Sequence, residues 1–450
     1  MKPLKLSEIA RAVGGQLNNS AMGDAFVRGV SFDTREDVKG KLFVPLQGIN
    51  ADGHKYMEQA LQKGAVCTFS QQETDICAIY VDDTKQALMD LAEYYRSLFN
   101  VTIVGITGSN GKTSCKDMVA SVLSQKFNVV KTLGNFNNEI GLPSSIFNID
   151  EDTEVAVLEM GMNNRWEIHR LSKIARPNVA IITNIGVAHI ENLGSREEIF
   201  KAKSEITDFL APDGRVFACG DDDFLPQLDT RGDVTYYGFG TLNTYQPTNH
   251  ADKGLDGSSY TVALQNEDFV DINLPSPGRH MVLNSLAAVA AGDYMGLSAN
   301  QIAQGIAGYQ SSGMRMDVRD LKGGGKLIVD CYNANPDSMK AALQVLSTAK
   351  GRKVAILGDM YELGEETDKM HYGCGEYAAK LGIDVIYCIG EHAQHIFEGA
   401  DKGGAWSIAH FINKDSFLQS FGGVQAGDTV LLKASRGMKL EEIADKLERE

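Results

Sequence analysis

The sequence has few of the features that direct a chain to nucleic acid, to a membrane or out of the cell. Lys and Arg number 43 against 59 Asp and Glu among 450 residues, which gives a formal net charge of −16. Nucleic-acid binding needs basic patches that displace counterions, so this balance argues against that class. The N-terminus lacks a continuous apolar segment and no stretch approaches a membrane span, so we expect neither a signal peptide nor membrane insertion.

Paired cysteine motifs are also absent. The odd number of cysteines and the lack of any C-x-x-C spacing are typical of reduced thiols packed as small hydrophobic side chains. We therefore expect a cytoplasmic protein, and its hydrophobic content of 43% is ordinary for a soluble chain with complete cores. The seven cysteines are Cys67, Cys77, Cys115, Cys219, Cys331, Cys374 and Cys388.

The length allows about three domains at the usual ~150 residues each. Residues 1–98 mix short strands with helical segments, and from residue 99 to 312 buried strands alternate with helices, apart from an antiparallel excursion over 231–275. Residues 313–450 alternate again, which predicts a second doubly wound sheet. We expect an α/β protein with a small N-terminal domain, a central P-loop ATPase-type domain with a parallel sheet, and a C-terminal Rossmann-like domain. The strands predicted in the last two units are 101–106, 154–158, 179–183, 326–329, 354–357, 385–389, 407–411 and 429–432.

The most informative stretch is residues 101–113, VTIVGITGSNGKT. A β-branched run enters a glycine-rich loop and a predicted helix over 114–125 follows, which is the order that forms a phosphate cradle. Lys112 is expected on the β- and γ-phosphates and the Thr113 hydroxyl on Mg²⁺. The loop is shorter than the common P-loop, and Gly108 takes the place of its first glycine. The predicted nucleoside triphosphate site comprises Gly108, Ser109, Asn110, Gly111, Lys112 and Thr113.

Polar residues follow the next predicted strands, where ligands collect in open α/β sheets. Glu159 ends one strand and suits Mg²⁺, although a glutamate there also caps loops. His189, five residues after Asn184, is either a further metal ligand or a structural imidazole.

A lysine on the inner face of a helix is a further candidate. Ser195 and Glu198 form a capping box that predicts a helix over 196–210. Lys203 falls on its apolar stripe with Ile199, Ile206 and Leu210, while Lys201 shares the other face with Glu205 and Asp208. Burial would leave a reactive neutral amine, so we expect CO₂ to carbamylate Lys203 and the carbamate to help hold a second Mg²⁺. The alternatives are an ammonium on phosphate or a side chain that extends to solvent.

Two clusters near the last junction are compatible with a nucleotide site. His280 and Asn284 precede a predicted helix over 286–292, and Arg315 lies where it could reach a γ-phosphate. Asp330 ends a strand, with Asn333 and Asn335 just before Pro336 opens a helix. Hinge turns explain these loops equally well in isolation.

Together these residues resemble the Mur ligase superfamily of ATP-dependent amide-forming enzymes of peptidoglycan synthesis. The resemblance spans essentially the whole chain, although Met281 stands where the family more often has asparagine. It implies ATP binding by the loop residues and by His280, Asn284, Arg315, Asp330 and Asn333. It also implies catalytic roles for Lys112, Glu159, His189, Lys203 and Arg315, with Thr113, Glu159, His189 and carbamylated Lys203 around two Mg²⁺ ions.

Further motifs resemble the branch that joins D-alanyl-D-alanine to a UDP-MurNAc-tripeptide. They are SFDTR at 31–35 with GINADGH at 48–54, GNFNNEIG at 134–141, and DCYNANP at 330–336 with LGDM at 357–360. The likeness implies that the uridine diphosphate group is held by Ser31, Asp33, Thr34 and Arg35. The acceptor and dipeptide would lie near Asn135, Asn137, Asn138, Asn335, Lys433, Ser435 and Arg436.

The resemblance implies phosphoryl transfer from ATP to the tripeptide carboxylate, followed by attack of the dipeptide amine on the acyl phosphate. Positioning and charge neutralisation carry such a reaction. The rival functions are a sibling Mur ligase, a folylpolyglutamate synthase-like ligase and a nucleotide-driven switch that ligates nothing. We expect a monomer whose C-terminal unit closes on the nucleotide, with lysine or diaminopimelate as the third residue of the peptide substrate.

Overall fold

The structure is a computed structural model that describes residues 1–48, 52–230, 232–322 and 324–448. It is a mixed α/β protein with parallel sheets, as the sequence predicts. No helix in the described part of the chain is both long and apolar enough to cross a bilayer. Residues 49–51 of the GINADGH motif and residues 449–450 lie outside the described residues.

The first unit is built on a five-stranded sheet of order β2-β7-β6-β5-β4, with a separate antiparallel pair β1–β3. The strands of the sheet pair in parallel except for β2, which runs antiparallel to β7. Its elements are β1 (Leu4–Lys5), α1 (Leu6–Ala12), β2 (Gln16–Leu17), β3 (Phe26–Val27), β4 (Val30–Ser31), β5 (Leu42–Phe43), α2 (Met57–Gln62), β6 (Cys67–Ser70), β7 (Ala78–Tyr80) and α3 (Thr84–Ser97).

The second unit has a six-stranded parallel sheet of order β13-β12-β11-β8-β10-β9 and a three-stranded antiparallel sheet β14-β15-β16. Its elements are β8 (Thr102–Thr107), α4 (Lys112–Leu123), β9 (Val129–Lys131), α5 (Gly141–Ile146), β10 (Val155–Glu159), α6 (Glu167–Ala175), β11 (Val179–Ile182), α7 (Ile190–Leu193), α8 (Arg196–Ser204), β12 (Arg215–Cys219), β13 (Asp233–Tyr237), β14 (Thr248–Asp252), β15 (Ser258–Ala263), β16 (Phe269–Leu274), α9 (Arg279–Tyr294) and α10 (Ala299–Ala307).

The third unit has a six-stranded sheet of order β17-β18-β22-β19-β20-β21, parallel except for the edge strand β17. Alternate residues of its central strands enter two separate cores on the two faces, as expected of a sheet covered on both sides. Its elements are β17 (Asp317–Asp320), β18 (Lys326–Val329), α11 (Pro336–Ser347), β19 (Lys353–Gly358), α12 (Thr367–Lys380), β20 (Val385–Ile389), α13 (Ala393–Lys402), β21 (Ile408–Phe411), α14 (Lys414–Ser420), β22 (Thr429–Lys433) and α15 (Glu441–Leu447).

Several predicted elements need correction. The antiparallel excursion begins at β14 rather than at residue 231, because β13 pairs in parallel with β12. The helix predicted over 286–292 is the sixteen-residue α9, so His280 and Asn284 lie one turn apart on the same helix. Strand β17 was not predicted; its burial is only partial, as befits an edge strand.

The helix predicted over 196–210 is also wrong at its end. Helix α8 stops at Ser204 and tightens into a 3₁₀ turn over Glu205–Thr207. Glu205 is buried there because its carboxylate accepts hydrogen bonds from Arg165 and from the backbone N–H of Trp166. It does not share a face with Lys201, which pairs with Glu198 at 2.7 Å instead.

Candidate active site

The phosphate loop joins β8 to α4 and needs its glycines. Gly111 precedes α4 with φ +81°, and Gly108 has φ +146°. A Cβ on Gly108 would lie 1.8 Å from the Thr183 hydroxyl oxygen, which no side chain can tolerate. The loop is also held from β11, because the backbone N–H of Asn110 donates to the Asn184 side chain at 3.0 Å. The first turn of α4 is thus left open toward the cleft, as an anion site requires.

Two lysines converge on one carbonyl of this loop. The ammonium of Lys112 donates to the Gly108 oxygen at 2.8 Å, and that of Lys203 donates to the same oxygen at 3.0 Å. Burial lowers the pKa of Lys112, against the opposing charge of Glu159. Burial and then the charge of Lys112 hold the pKa of Lys203, which is 1% exposed, well below its ordinary value. The predicted inward placement of Lys203 is therefore confirmed.

A carboxylate and a hydroxyl lie next to the loop in a form that suits Mg²⁺. The Thr113 hydroxyl donates to Glu159 at 2.8 Å, and the Asn137 amide donates to the other carboxylate oxygen at 2.7 Å. The part of the chain that the structure describes contains no group of three or more His, Cys, Asp or Glu side chains that could hold a metal ion. This donor set fits an ion that takes one or two protein ligands and completes its shell with phosphate oxygens and water.

His189 contacts a residue that the sequence interpretation missed. Its Nδ1 lies 2.8 Å from the carboxylate of Glu362, which comes from the third unit. The neighbouring imidazole of His189 holds the pKa of Glu362 below its ordinary range. Glu362 follows β19, so the rule of strand carboxyl ends that selected Glu159 applies to it as well.

The third unit supplies a second charged cluster. Lys433, 1% exposed, pairs with Asp330 at 2.8 Å and donates to the Asn333 carbonyl at 2.8 Å. The guanidinium of Arg315 lies 4.1 Å from the centre of the Tyr332 ring, a cation–π contact that orients it. Asn335 donates to the side chain of Asn110 at 2.7 Å, so the third unit touches the phosphate loop directly.

These groups surround one cavity of about 680 Å³ between the second and third units. A second cavity of about 610 Å³ adjoins it and shares His280, Leu283 and Ala341. Burial lowers the pKa of His280. The predicted residues that line the first cavity are Ser109, Asn110, Gly111, Lys112, Thr113, Asn135, Asn137, Asn138, Glu159, His189, His280, Asn284, Arg315, Asp330, Asn333, Asn335 and Lys433.

Gly108 and Lys203 meet at the phosphate loop but are not among the lining residues, and the other predicted residues lie elsewhere. Ser435 accepts a hydrogen bond from the backbone N–H of Tyr361 at 2.9 Å, and Arg436 pairs with Glu441; neither lines the cavity. The residues predicted to hold uridine diphosphate lie at the end of β4 in the first unit. There Arg35 pairs with Asp33 at 2.6 Å and lowers the pKa of that carboxyl to about 2.

Comparisons with known proteins agree over the whole length. Residues 106–292 match the Mur ligase middle domain, and residues 314–436 match the glutamate ligase domain of Mur ligases. The UDP-N-acetylmuramoyl-tripeptide–D-alanyl-D-alanine ligase of Bacillus subtilis (strain 168) is 40% identical, with 98% of each chain covered. A crystal structure of MurF from Acinetobacter baumannii superposes with a TM-score of 0.92 at 29% identity and full coverage of both chains. The MurF ligase of Thermotoga maritima in complex with ADP gives a TM-score of 0.84 at 28% identity, covering 94% of this chain and 97% of that one.

Proposed function

Because the chain belongs to the Mur ligase family, we propose that the cavity between its second and third units is where the ligation takes place. The enzyme uses ATP to join D-alanyl-D-alanine to a UDP-MurNAc-tripeptide, in peptidoglycan precursor synthesis. The observation that supports this site best is the meeting of Lys112, Glu159 and Asp330 around one cavity. Phosphoryl transfer requires a positively charged loop, a carboxylate that can bind metal, and polar residues from a second unit that complete the site.

We propose that ATP lies across the two adjoining cavities. In this proposal its phosphates lie on the loop from Gly108 to Thr113, where backbone N–H groups and Lys112 neutralise their charge. The base occupies the second cavity, which His280 joins to the first and which is lined by both the second and third units. Arg315, oriented by Tyr332, is placed to meet the γ-phosphate.

Mg²⁺ would be held by Thr113 and Glu159, whose oxygens lie 2.8 Å apart in a suitable donor set. When bound, the ion neutralises charge on the transferring phosphate.

A second Mg²⁺ would be bound by His189 and a carbamate on Lys203. The buried amine of Lys203 favours its neutral form, which is the form that attacks CO₂. Addition of the amine nitrogen to CO₂ releases one proton, and the resulting anion would lie beside the Lys112 ammonium.

The reaction proceeds by two substitutions. The tripeptide carboxylate attacks the γ-phosphorus of ATP, which forms an acyl phosphate and releases ADP. The amine of D-alanyl-D-alanine then attacks the acyl carbon, forms the amide, and loses a proton as inorganic phosphate leaves. The residues of this chain act by binding, by orientation and by excluding water from the acyl phosphate.

The UDP-tripeptide and D-alanyl-D-alanine would enter the cavity from different sides. Ser31, Asp33, Thr34 and Arg35 would hold the uridine diphosphate group, with Asn135, Asn137 and Asn138 near the acceptor carboxylate. Asn335 and Lys433 would contact the dipeptide, with Ser435 and Arg436 beyond the cavity lining. We further propose three domains over residues 1–98, 99–312 and 313–450, a cytoplasmic location and a monomeric state.

A ligation assay tests this function and separates it from a nucleotide switch. Purified protein is given ATP, Mg²⁺, D-alanyl-D-alanine and the UDP-MurNAc-tripeptide with either lysine or diaminopimelate at the third position. We expect a pentapeptide product and phosphate release that depends on both the tripeptide and the dipeptide. The acyl phosphate forms only on the tripeptide, and phosphate leaves when the dipeptide amine attacks it. Phosphate release that is indifferent to the dipeptide, with no ligated product, would instead identify a switch.

A further inference from the structure

One loop of the cavity is tied to the first unit through a charged cluster that the proposed roles above do not use. This loop, residues 133–138, is called the asparagine loop because it carries Asn135, Asn137 and Asn138. Two of its side chains, Leu133 and Phe136, are more than half exposed although they are apolar. The loop is therefore held in place by something other than its own burial.

Contacts with two glycines place the middle of the loop. The Asn137 carbonyl accepts from the Gly161 N–H at 2.8 Å, and the Asn137 side chain packs so closely that a Cβ on Gly161 would lie 2.8 Å from it. The backbone of Phe136 lies over Gly141, where a Cβ would come within 2.4 Å. These contacts bring Asn137 to Glu159, but they do not fix the two ends of the loop.

The first end is fixed to the helix of the phosphate loop. Lys116 lies one turn after Lys112 on α4, and it is only 1% exposed. Its ammonium donates to the Thr132 carbonyl at 2.8 Å and lies 3.5 Å from that of Gly134. The Thr132 hydroxyl in turn accepts from the backbone N–H of Glu159 at 3.1 Å. The start of the asparagine loop is thus attached to the helix and the strand that carry the nucleotide-site residues.

The second end is held at the start of α5, where the Asn138 side chain accepts from the Gly141 N–H at 2.9 Å, and Glu139 immediately after it ties this end to the first unit. Its side chain is 11% exposed, and its two carboxylate oxygens pair with different cations, Lys85 and Arg170. Burial by itself would raise the pKa of Glu139, but the two cations outweigh it and hold that pKa below its ordinary value. Arg170 belongs to α6 of the second unit, whereas Lys85 belongs to α3 of the first unit.

Lys85 connects this cluster to the region proposed to hold uridine diphosphate. It lies in the first turn of α3, next to Thr84, whose hydroxyl donates to the Pro45 carbonyl at 2.6 Å. Pro45 follows β5, and β5 pairs with β4 so that Phe43 lies beside Ser31. The carboxylate of Glu139 therefore bridges the end of the asparagine loop and the helix start that supports β4 and β5.

We propose that Glu139 is a positioning residue that holds the asparagine loop at a fixed distance from the site of the uridine diphosphate group, so that the carboxylate of the bound UDP-tripeptide arrives at the phosphate site. The role rests on the proposed function, since it concerns that substrate. A long substrate anchored at one end needs its reacting end placed within a fraction of an ångström. Lys116 holds the same loop to the nucleotide side.

The chain offers a matched control in Glu93. This carboxylate also joins α3 to the region of α6, with Arg176 at 3.0 Å and Lys173 at 3.5 Å, but it does not touch the asparagine loop. Glu93→Gln and Glu139→Gln each remove one charge that bridges the same two helices. A purely structural role predicts the same behaviour for both variants.

The test compares steady-state kinetics of wild type, Glu139→Gln and Glu93→Gln. We expect Glu139→Gln to raise KM for the UDP-tripeptide roughly tenfold while KM for ATP changes little, and Glu93→Gln to leave both near wild type. Equal effects of the two variants, or a parallel rise in KM for ATP, would overturn the positioning role. Wild-type protein that forms no product would overturn the proposed function instead.

A binding measurement keeps the proposal testable if Glu139→Gln turns over too slowly. Calorimetry with UDP alone and with the UDP-tripeptide separates the anchoring site from the loop. We expect unchanged affinity for UDP and weaker affinity for the UDP-tripeptide. Lys85→Gln, at a side chain that is 46% exposed and tolerant of change, should shift the same affinity in the same direction. Loss of UDP affinity in both variants would mean that the cluster only supports the first unit.

Discussion

At the residue scale, the most unusual feature of the cleft is the shared carbonyl of Gly108, which accepts from both Lys112 and Lys203. Two like charges on one acceptor in a buried site are unfavourable unless one of them is neutral or an anion arrives. The nucleotide phosphates are the anion that would suit Lys112. The neutral amine is the state that burial favours for Lys203.

We expect Lys112→Ala to lower kcat/KM for ligation by at least about 100-fold while leaving the melting temperature near that of wild type, because the lost charge acts on the transferring phosphate. Lys126→Ala is the matched control. That lysine follows the same helix and donates to the Gly296 carbonyl at 2.8 Å, but it is not part of the cavity lining. Near-normal turnover in a folded Lys112→Ala protein would remove the basis for the nucleotide site.

We expect Lys203→Ala to be nearly inactive and to regain part of its activity in the presence of formate or acetate. A short carboxylic acid can occupy the gap and replace the carbamate oxygens as ligands. Lys201→Ala on the outer face of α8 should remain active, since it only pairs with Glu197 and Glu198. Wild-type protein in ¹³C-labelled bicarbonate should show a carbamate resonance. If neither the resonance nor the rescue is found, Lys203 acts as an unmodified amine.

At the element scale, the N-terminal ends of three central strands in the third unit are joined by Asp428. It is 1% exposed, forms two hydrogen bonds with Arg352 at 2.7 and 2.9 Å, and accepts from the Gln425 N–H at 2.7 Å. Its own carbonyl accepts from Lys326, where β18 begins. The side chain and the backbone carbonyl of this one residue thus help align β18, β19 and β22, which carry Asp330 and Lys433 to the cleft.

We expect Asp428→Asn to lower the free energy of unfolding by about 1–3 kcal/mol at neutral pH, as for loss of a charged hydrogen bond. Burial alone would raise the pKa of Asp428, but Arg352 holds it below the ordinary 3.8. A carboxylate whose pKa is lower in the folded than in the unfolded state stabilises the fold above pH 3.8. This stabilisation is lost as the pH falls through the pKa of the folded state.

Denaturant titrations at several pH values would test this dependence. The difference in free energy of unfolding between wild type and Asp428→Asn should have its full size above about pH 4. It should disappear in more acidic solution. Asp320→Asn provides a control in the same sheet, since the Asp320–Lys326 pair has a similar distance of 2.7 Å but a carboxylate that is 84% exposed. A constant gap across the whole pH range would show that Asp428 stabilises the sheet without its charge.

At the scale of the whole molecule, polar contacts between the second and third units lie across the cleft. Asn335 donates to Asn110, and Glu362 pairs with His189, both across the cleft. Asp337 also approaches the second unit so closely that a Cβ on Gly186 would lie 2.4 Å from its carboxylate. Beside them, Leu255 packs against the core of the third unit, and such a mixed polar and apolar interface is typical of domains that can move relative to each other.

We expect the protein in solution to become more compact when an ATP analogue and the UDP-tripeptide bind together, because both units then share the same ligand. Small-angle scattering with and without these ligands measures the change. Glu362→Gln weakens one contact across the cleft. The variant protein should therefore need a higher concentration of the ATP analogue to reach the same compaction. Identical scattering curves in the free and bound states would contradict closure of the third unit.

The sequence by itself determined the elements whose signal is local. The apolar run before Gly108, the glycines and the lysine after them predict β8, the loop and α4, because each depends on the backbone preferences of a few adjacent residues. The spacing of Lys203 with Ile199 and Ile206 likewise predicted its burial, since helical periodicity decides which side chains face the core. The family resemblance identified the cleft residues that come from distant parts of the chain.

Only the tertiary structure decided which distant residues meet. The end of α8 was mispredicted because Glu205 is used by Arg165 and α6, contacts that no local pattern contains. Glu139 was missed because a glutamate in a polar loop is usually solvated. Glu362 follows a strand end, which the sequence does show, but its partner across the cleft is not visible there. The partners of these two glutamates are His189 and Lys85, and they lie more than fifty residues away in the chain. Long-range ion pairs depend on how the units pack, and that packing is a property of the whole fold.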